Sequence, residues 1–314
     1  MKAAILEEAG GEPVIGAFPD PREAPGTAVV SVLAAGMNPM DLLIAAGRFP
    51  LRVPEPPAVL GFEGVGELAD GSRVYFVDAP APYGSFAELA PVNEASLTPV
   101  PPTLDPALAT ALGVAGTAGW TALEYRARLA PGETVLILGA SGVVGQLAVQ
   151  TARLLGAGRV VAAARGDVRE KLAALGADAV VRLDGPDGLE DALRAAAPGG
   201  CDVVLDLVWG EAIPHVIAVA NPGARLVQVG NAASATATVT AASFRNKTMS
   251  LIGHSVLLAP ADVRRAAYVR MTELAAEGKI ALDIERVPLS GFRHGWDLLK
   301  AGSAHRKLVV VPGS

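Results

Sequence analysis

The chain has 314 residues, 51% of them hydrophobic and 18% charged, which supports a large buried core and favours two domains over one. A net charge of −6 excludes the basic footprint of a nucleic-acid binder. The single cysteine, Cys201, excludes an internal disulfide and any multi-cysteine zinc site.

The N-terminus turns acidic at Glu7-Glu8 before any apolar signal core forms, so no secretory peptide is expected and a cytoplasmic protein is the default. The first hundred or so residues are rich in Pro and Gly, with short β-like runs at 28–33 and 73–77 separated by turn signals such as Asp70-Gly71. This spacing predicts a compact, mostly β domain. Near Pro106 an alanine-rich helical run begins, and after Pro131-Gly132 strand and helix signals alternate. Strands are predicted at 134–138, 159–164, 202–206 and 225–229, with helices at 143–155 and 169–175 between the first of them. Repeated units of this length imply a doubly wound parallel sheet. The most apolar stretch, 134–164, is interrupted by Gly139, Gly142, Gly145, Gln146, Gln150 and Arg153 and reads as buried α/β structure, not as a membrane span. A helix at 262–277, a charged helix near Trp296 and a strand at 307–311 end the chain.

Gly139-Ala140-Ser141-Gly142-Val143-Val144-Gly145 follows an apolar strand and opens a helix, the context a dinucleotide fingerprint requires. Small residues let the backbone approach a pyrophosphate, and the helix start offers free N–H groups. The strict pattern begins with Gly, where this chain has Ala140. An NAD site places an acidic residue about 20 positions further on, to bond the ribose 2′-hydroxyl. Here Arg165 stands 20 residues beyond Gly145, followed by Arg169 and Lys171. A guanidinium pairs with a 2′-phosphate, which favours NADPH. Asp167 is the counter-residue, within reach of a ribose if the strand ends late, and a solvated surface charge is the plain alternative for Arg165.

Ala35-Gly36-Met37-Asn38-Pro39-Met40-Asp41, Leu60-Gly61-Phe62-Glu63-Gly64-Val65-Gly66, Gly84-Ser85-Phe86-Ala87-Glu88, the Gly139–Gly145 turn, Leu175-Gly176-Ala177-Asp178 and Lys307-Leu308-Val309-Val310 run nearly end to end. Their order and spacing resemble the medium-chain dehydrogenase/reductase superfamily, most closely its zinc-free quinone oxidoreductase branch. The resemblance implies an α/β fold with a GroES-like, mostly-β catalytic domain (1–115, returning at 254–314) and a doubly wound parallel-sheet Rossmann domain (116–253) that binds NADPH. It also implies a homodimer. Zinc-dependent relatives carry a cysteine where this chain has Met37 and a histidine where it has Phe62. Neither replacement is a donor that zinc favours. Without a Lewis acid, a conjugated acceptor is the better substrate, because hydride reaching a quinone or a β-carbon spreads charge onto an oxygen that hydrogen-bond donors can meet.

The resemblance suggests roles for particular residues, each beside a plainer one. Asn38 donates to a substrate carbonyl or the nicotinamide ribose, or simply begins a turn before Pro39. Asp41 orients Asn38 or a cofactor hydroxyl, or caps the following helix. Glu63 reads as a buried structural carboxylate. Phe49 stands where several relatives place a tyrosine that serves as a proposed proton donor, so protonation falls to water, a ribose hydroxyl or Tyr83; a loop aromatic is the alternative for Tyr83. Phe49, Phe62, Tyr83 and His254 are expected to line the substrate pocket. Thr121 matches a position beside the nicotinamide, Gly230 and Asn231 sit just past a strand's C-terminal end, and Lys307 is expected at the cofactor. Trp209 replaces a frequent glycine, which tightens the cofactor rim. His215, His294 and His305 read as surface residues. The leading reading is an NADPH-dependent reductase of quinones or α,β-unsaturated carbonyl compounds, with no nucleic-acid or membrane partner. An enoyl-thioester reductase and a catalytically silent, crystallin-like NADPH-binding protein are the alternatives.

Overall fold

A computed structural model describes residues 1–184, 188–302 and 306–313, so the expectation for His305 lies outside the described residues. The chain divides into two compact units, Met1–Gly113 with Tyr268–Ser314, and Val114–Ala267. The second division falls inside the helix Ala261–Ala276, whereas the motif order places the start of the returning segment at 254.

The first unit opens with β1 (Lys2–Leu6), β2 (Val14–Ala17), β3 (Thr27–Gly36) and β4 (Ala58–Val59). It continues with β5 (Glu63–Glu67), β6 (Arg73–Val77), β7 (Leu89–Asn93) and β8 (Thr98–Pro99). The second unit holds β9 (Thr134–Leu138), β10 (Arg159–Ala164), β11 (Ala179–Arg182), β12 (Cys201–Asp206), β13 (Ala220–Gln228) and β14 (Ser250–Gly253). After the return come β15 (Ile284–Pro288) and β16 (Lys307–Val311).

In the first unit a seven-stranded sheet runs β15-β16-β3-β5-β6-β8, with β7 also paired to β3, beside a three-stranded sheet β2-β1-β4. β16 pairs antiparallel with β3, which places the last strand of the chain beside the Gly36-Met37-Asn38 segment. Both chain ends therefore build one sheet, the GroES-like arrangement.

The second unit is a six-stranded, all-parallel sheet in the order β11-β10-β9-β12-β13-β14. Val135 and Ile137 of β9 enter one apolar layer, and Leu136 and Leu138 enter the other. A strand buried on both faces must be apolar throughout, which is why β9 shows no alternation in sequence. Helix Val143–Leu154 follows β9, and helix Arg169–Ala174 follows β10. The alanine-rich run after Pro106 is not one helix. It forms Pro106–Ala111, breaks at Gly113 (φ −61°, ψ −114°), and resumes as Thr117–Thr121. Among the described residues no helix is long and apolar enough to cross a membrane.

One lysine secures the approach to β14. Lys247 Nζ donates to the carbonyls of Ile217, Ala218 and Ala220 at 2.7–2.8 Å, where helix Ala212–Val219 leaves acceptors without helical donors. Lys247→Met keeps the aliphatic stem but strands these carbonyls. It is expected to cost about 1–3 kcal/mol, read as a lower midpoint in denaturant unfolding; an unchanged midpoint contradicts this role.

Candidate functional site

In the first unit a polar cluster is built around an ion pair. Lys307 enters from β16 with 2% of its surface exposed, and Glu63 meets it from β5 with none, Nζ to Oε1 being 3.1 Å. Lys307 also donates to Asn38 Oδ1 at 2.7 Å and to the Met37 carbonyl at 3.2 Å, so all three of its hydrogens have acceptors. Because Asn38 Oδ1 faces the ammonium, its amide nitrogen turns to Glu63 Oε1 at 2.8 Å and the Gly36 carbonyl at 3.2 Å. Tyr75 donates to Glu63 Oε2 at 2.9 Å. Both amide hydrogens of Asn38 are thus directed at protein acceptors, not at an incoming carbonyl. Lys307 is committed to Glu63 and Asn38 in this arrangement, not to a cofactor. Burial of the Glu63 carboxylate is the physical reason, since a buried charge demands both a counter-ion and hydrogen bonds.

Asp41 lies in the first turn of helix Pro39–Ala45, and its Oδ2 accepts from the Asn38 backbone N–H at 2.7 Å. Asp41 therefore orients Asn38 through the main chain. Its Oδ1 is buried with no hydrogen-bond partner among the described residues. Burial pushes its pKa up to about 7, opposed by the Asn38 N–H and Lys307 and reinforced by Glu63. Met37 and Phe62 are buried at 2% and 6% exposure. Phe49 is half-buried in the turn after the helix. Tyr83 packs edge-on against Phe18, with its hydroxyl 3.5 Å from the Asp20 carbonyl.

In the second unit the glycine turn joins β9 to its helix. Gly139 has φ +81°, and a Cβ there would come within 2.7 Å of Val208 Cγ1. A Cβ on Gly145 would come within 2.6 Å of Ala140 Cα, so helix and turn pack backbone to backbone. Gly142 is the N-cap, Val143 and Val144 begin the helix, and Gln146 Nε2 clasps the Ser141 carbonyl at 2.6 Å. Arg165 follows directly on β10, whose Ala163 pairs with Leu138 at the end of β9. Arg165 and Arg169 are exposed, and Lys171 is half-buried. Asp167 is exposed too, within electrostatic reach of Arg182.

On the other side of β9, a cavity of about 660 Å³ is lined by Trp209, Gln228, Gly230, Asn231, Leu251 and Gly253. This size suits a small-molecule or cofactor site. Asp206, at the end of β12, accepts from the N–H groups of Val208 and Trp209 at 3.0 and 2.9 Å through Oδ1. Burial raises its pKa, and these two N–H groups pull it down. The turn they form holds Trp209 at φ +57°. A side chain in the left-handed region costs roughly 1–2 kcal/mol relative to glycine.

Thr121 and His254 are brought together, Oγ1 to Nε2 being 2.9 Å, and Thr121 donates to the Thr117 carbonyl at 2.6 Å. With the hydroxyl hydrogen used there, Nε2 is the donor in the second contact. Burial, aided by Arg126, pushes the His254 pKa down to about 4, so the ring is neutral at physiological pH. Trp209 is read from the sequence as part of the cofactor rim, and Glu63 is the buried carboxylate expected, whereas sequence reasoning leaves out Asp206 and Gln146 and places Lys307 at the cofactor and not beside Glu63. The replaced glycine at 209 is the only signal for Trp209.

A family model for the alcohol dehydrogenase GroES-like domain matches residues 24–102, and one described as zinc-binding dehydrogenase matches residues 143–272. A phenolphthiocerol/phthiocerol polyketide synthase component from Mycobacterium tuberculosis is 30% identical over 90% of this chain, which spans 13% of the synthase. A chloroplastic NADPH-dependent alkenal/one oxidoreductase from Arabidopsis thaliana is 28% identical over 74% of this chain and 66% of its own length. The quinone oxidoreductase of Thermus thermophilus, whose solved structures include a complex with NADPH, is 29% identical, with a TM-score of 0.79 over 99% of this chain and 100% of that one.

The buried cluster generates a prediction with a definite sign. The folded pKa of Asp41, about 7, lies above the ordinary 3.8, so folded protein keeps a proton that unfolded chain has released. Stability from this residue is complete below about pH 4 and is lost as pH rises through about 7. Asp41→Asn retains an acceptor for the Asn38 N–H and removes the titration. Melting temperatures between about pH 5 and 8 should show the variant gaining on the parent as pH rises; a constant difference contradicts this.

Proposed function

We propose that this chain, which belongs to the medium-chain dehydrogenase/reductase superfamily and to its quinone and alkenal oxidoreductase branch, is a zinc-independent, NADPH-dependent reductase of quinones or α,β-unsaturated carbonyl compounds. The observation that carries the cofactor half of this reading is the Gly139–Gly145 turn. Its glycines let the turn pack backbone to backbone against the helix it opens, so the free N–H groups of that helix start are held at the end of β9, which fits a pyrophosphate. Gly139, Ala140, Ser141, Gly142, Val143, Val144 and Gly145 would hold the pyrophosphate. Arg165, with Arg169 and Lys171 behind it, would hold the 2′-phosphate through charge-assisted bonds. Thr121, Gly230 and Asn231 would serve the nicotinamide end. When bound, NADPH supplies the hydride.

Zinc does not fit the residues at the family's ligand positions. Met37 offers a thioether and Phe62 no donor at all, where zinc favours thiolate, imidazole or carboxylate. Among the described residues, no group of three His, Cys, Asp or Glu side chains is placed to hold a metal. What the chain does supply is positioning. The Glu63–Lys307–Asn38 cluster fixes the Met37–Asp41 segment, and the contact with Thr121 fixes the tautomer and orientation of the neutral His254 ring. A conjugated acceptor requires only that an emerging oxygen charge meet hydrogen-bond donors. Likeness over 90% of this chain to part of a polyketide synthase makes an enoyl-thioester the second acceptor class. A homodimer belongs to the same reading, supported by the outer position of β14, where Leu251 is 49% exposed. Sedimentation velocity showing a monomer would remove that part.

Purified protein should oxidise NADPH with quinones and enones, contain no stoichiometric zinc, and keep its activity under chelation. Zinc lost together with activity contradicts the metal-free reading. Enoyl-thioesters as the only turned-over acceptors would select the second one. NADPH should be preferred over NADH, and Arg165→Ala with Lys171→Ala should erase the preference, at roughly 1.5–3 kcal/mol for each charge-assisted bond lost. Equal affinity of the unmodified protein for the two cofactors by titration contradicts the role of Arg165.

A further inference from the structure

We infer that Trp209 is a specificity-determining residue whose indole lies against the nicotinamide half of the dinucleotide, an inference that rests on the cofactor reading above. In the parallel sheet, β9 and its glycine turn sit between β10 and β12. Arg165, at the end of β10, marks the side that takes the phosphorylated ribose. A dinucleotide crossing the turn therefore extends toward the ends of β12 and β13, where the cavity opens. Trp209 is a wall of that cavity, and the indole also packs on the apolar layer that contains Leu138 and Val204.

The backbone gives the second line of support. Trp209 is bulky and yet held at φ +57° by the Asp206 carboxylate, and Gly210 follows at φ +92°. Glycine at 209 would keep the same main-chain bonds without strain, so the conformation itself does not call for an indole. Gly230 and Gly253 line the same cavity, and a Cβ on Gly230 would come within 2.8 Å of the Leu207 carbonyl oxygen. An aromatic face beside side-chain-free backbone suits a flat ring.

The test uses full-length protein and calorimetric titration with two probes, NADPH and 2′,5′-ADP, which lacks the nicotinamide half. Trp209→Gly should weaken NADPH binding roughly three- to tenfold while 2′,5′-ADP binds as before, and Trp209→Phe should retain most of the NADPH affinity. NADPH affinity unchanged in Trp209→Gly, or both probes weakened equally, overturns the inference. Should Trp209→Gly not fold, Trp209→Leu, which has no ring face, takes its place with the same two outcomes. Unmodified protein that binds no NADPH would overturn the cofactor reading itself, whereas binding that is indifferent to residue 209 overturns only this one.

Discussion

The first unit depends on one buried ion pair. Lys307 belongs to the last strand and Glu63 to a strand laid down more than two hundred residues earlier, and they meet at 3.1 Å with almost no exposure. Two charges in the interior are tolerable only together, and removing one partner typically costs about 3–5 kcal/mol. The pair therefore obliges the two chain segments to assemble around the same point. Asn38 completes it by accepting from the ammonium and donating to the carboxylate, and its amide cannot swing outward without breaking a hydrogen bond to each. Asp41 fastens the backbone of Asn38 from below. The Met37–Asp41 segment is thus held by hydrogen bonds to the ion pair and to Asp41.

The second unit solves a different problem, which is to pack a tight turn between an apolar strand and the start of a helix. Gly139 and Gly145 let the turn close on its surroundings, because a Cβ at either would collide with Val208 or Ala140. Around that turn the sheet divides the labour. Cationic residues cluster after β10, and the cavity with its tryptophan lies at the ends of β12 and β13. The unit's His254 is neutral because it is buried near Arg126, and its one N–H is spent on the Thr121 hydroxyl.

Much of this was readable in the sequence, because the informative features are local. The apolar strand at 134–138, the glycine turn and the helix after it are contiguous in the chain, and the strand at 307–311 is found where periodicity placed it. The motif order also carried the GroES-like and Rossmann assignment. What could not be read depends on distant partners. The direction of the Asn38 amide is set by Glu63 and Lys307, 25 and 269 residues away. Lys307 looks like a cofactor ligand until its strand pairs with β3. The break at Gly113 is invisible in an alanine-rich run, since composition reports helix propensity and not where a helix must bend. The left-handed conformation of Trp209 is likewise imposed by Asp206, and no local turn signal announces it.

The central claim is that this chain delivers a hydride to a conjugated position and needs no metal to do so. The most direct measurement follows the label from NADPH deuterated at the transferable C4 position, with an α,β-unsaturated ketone as acceptor and the product analysed by NMR. Deuterium is expected at the β-carbon, with an intact carbonyl and no change on chelation. Deuterium on the carbonyl carbon of an allylic alcohol, formed only in zinc-replete protein, would contradict it.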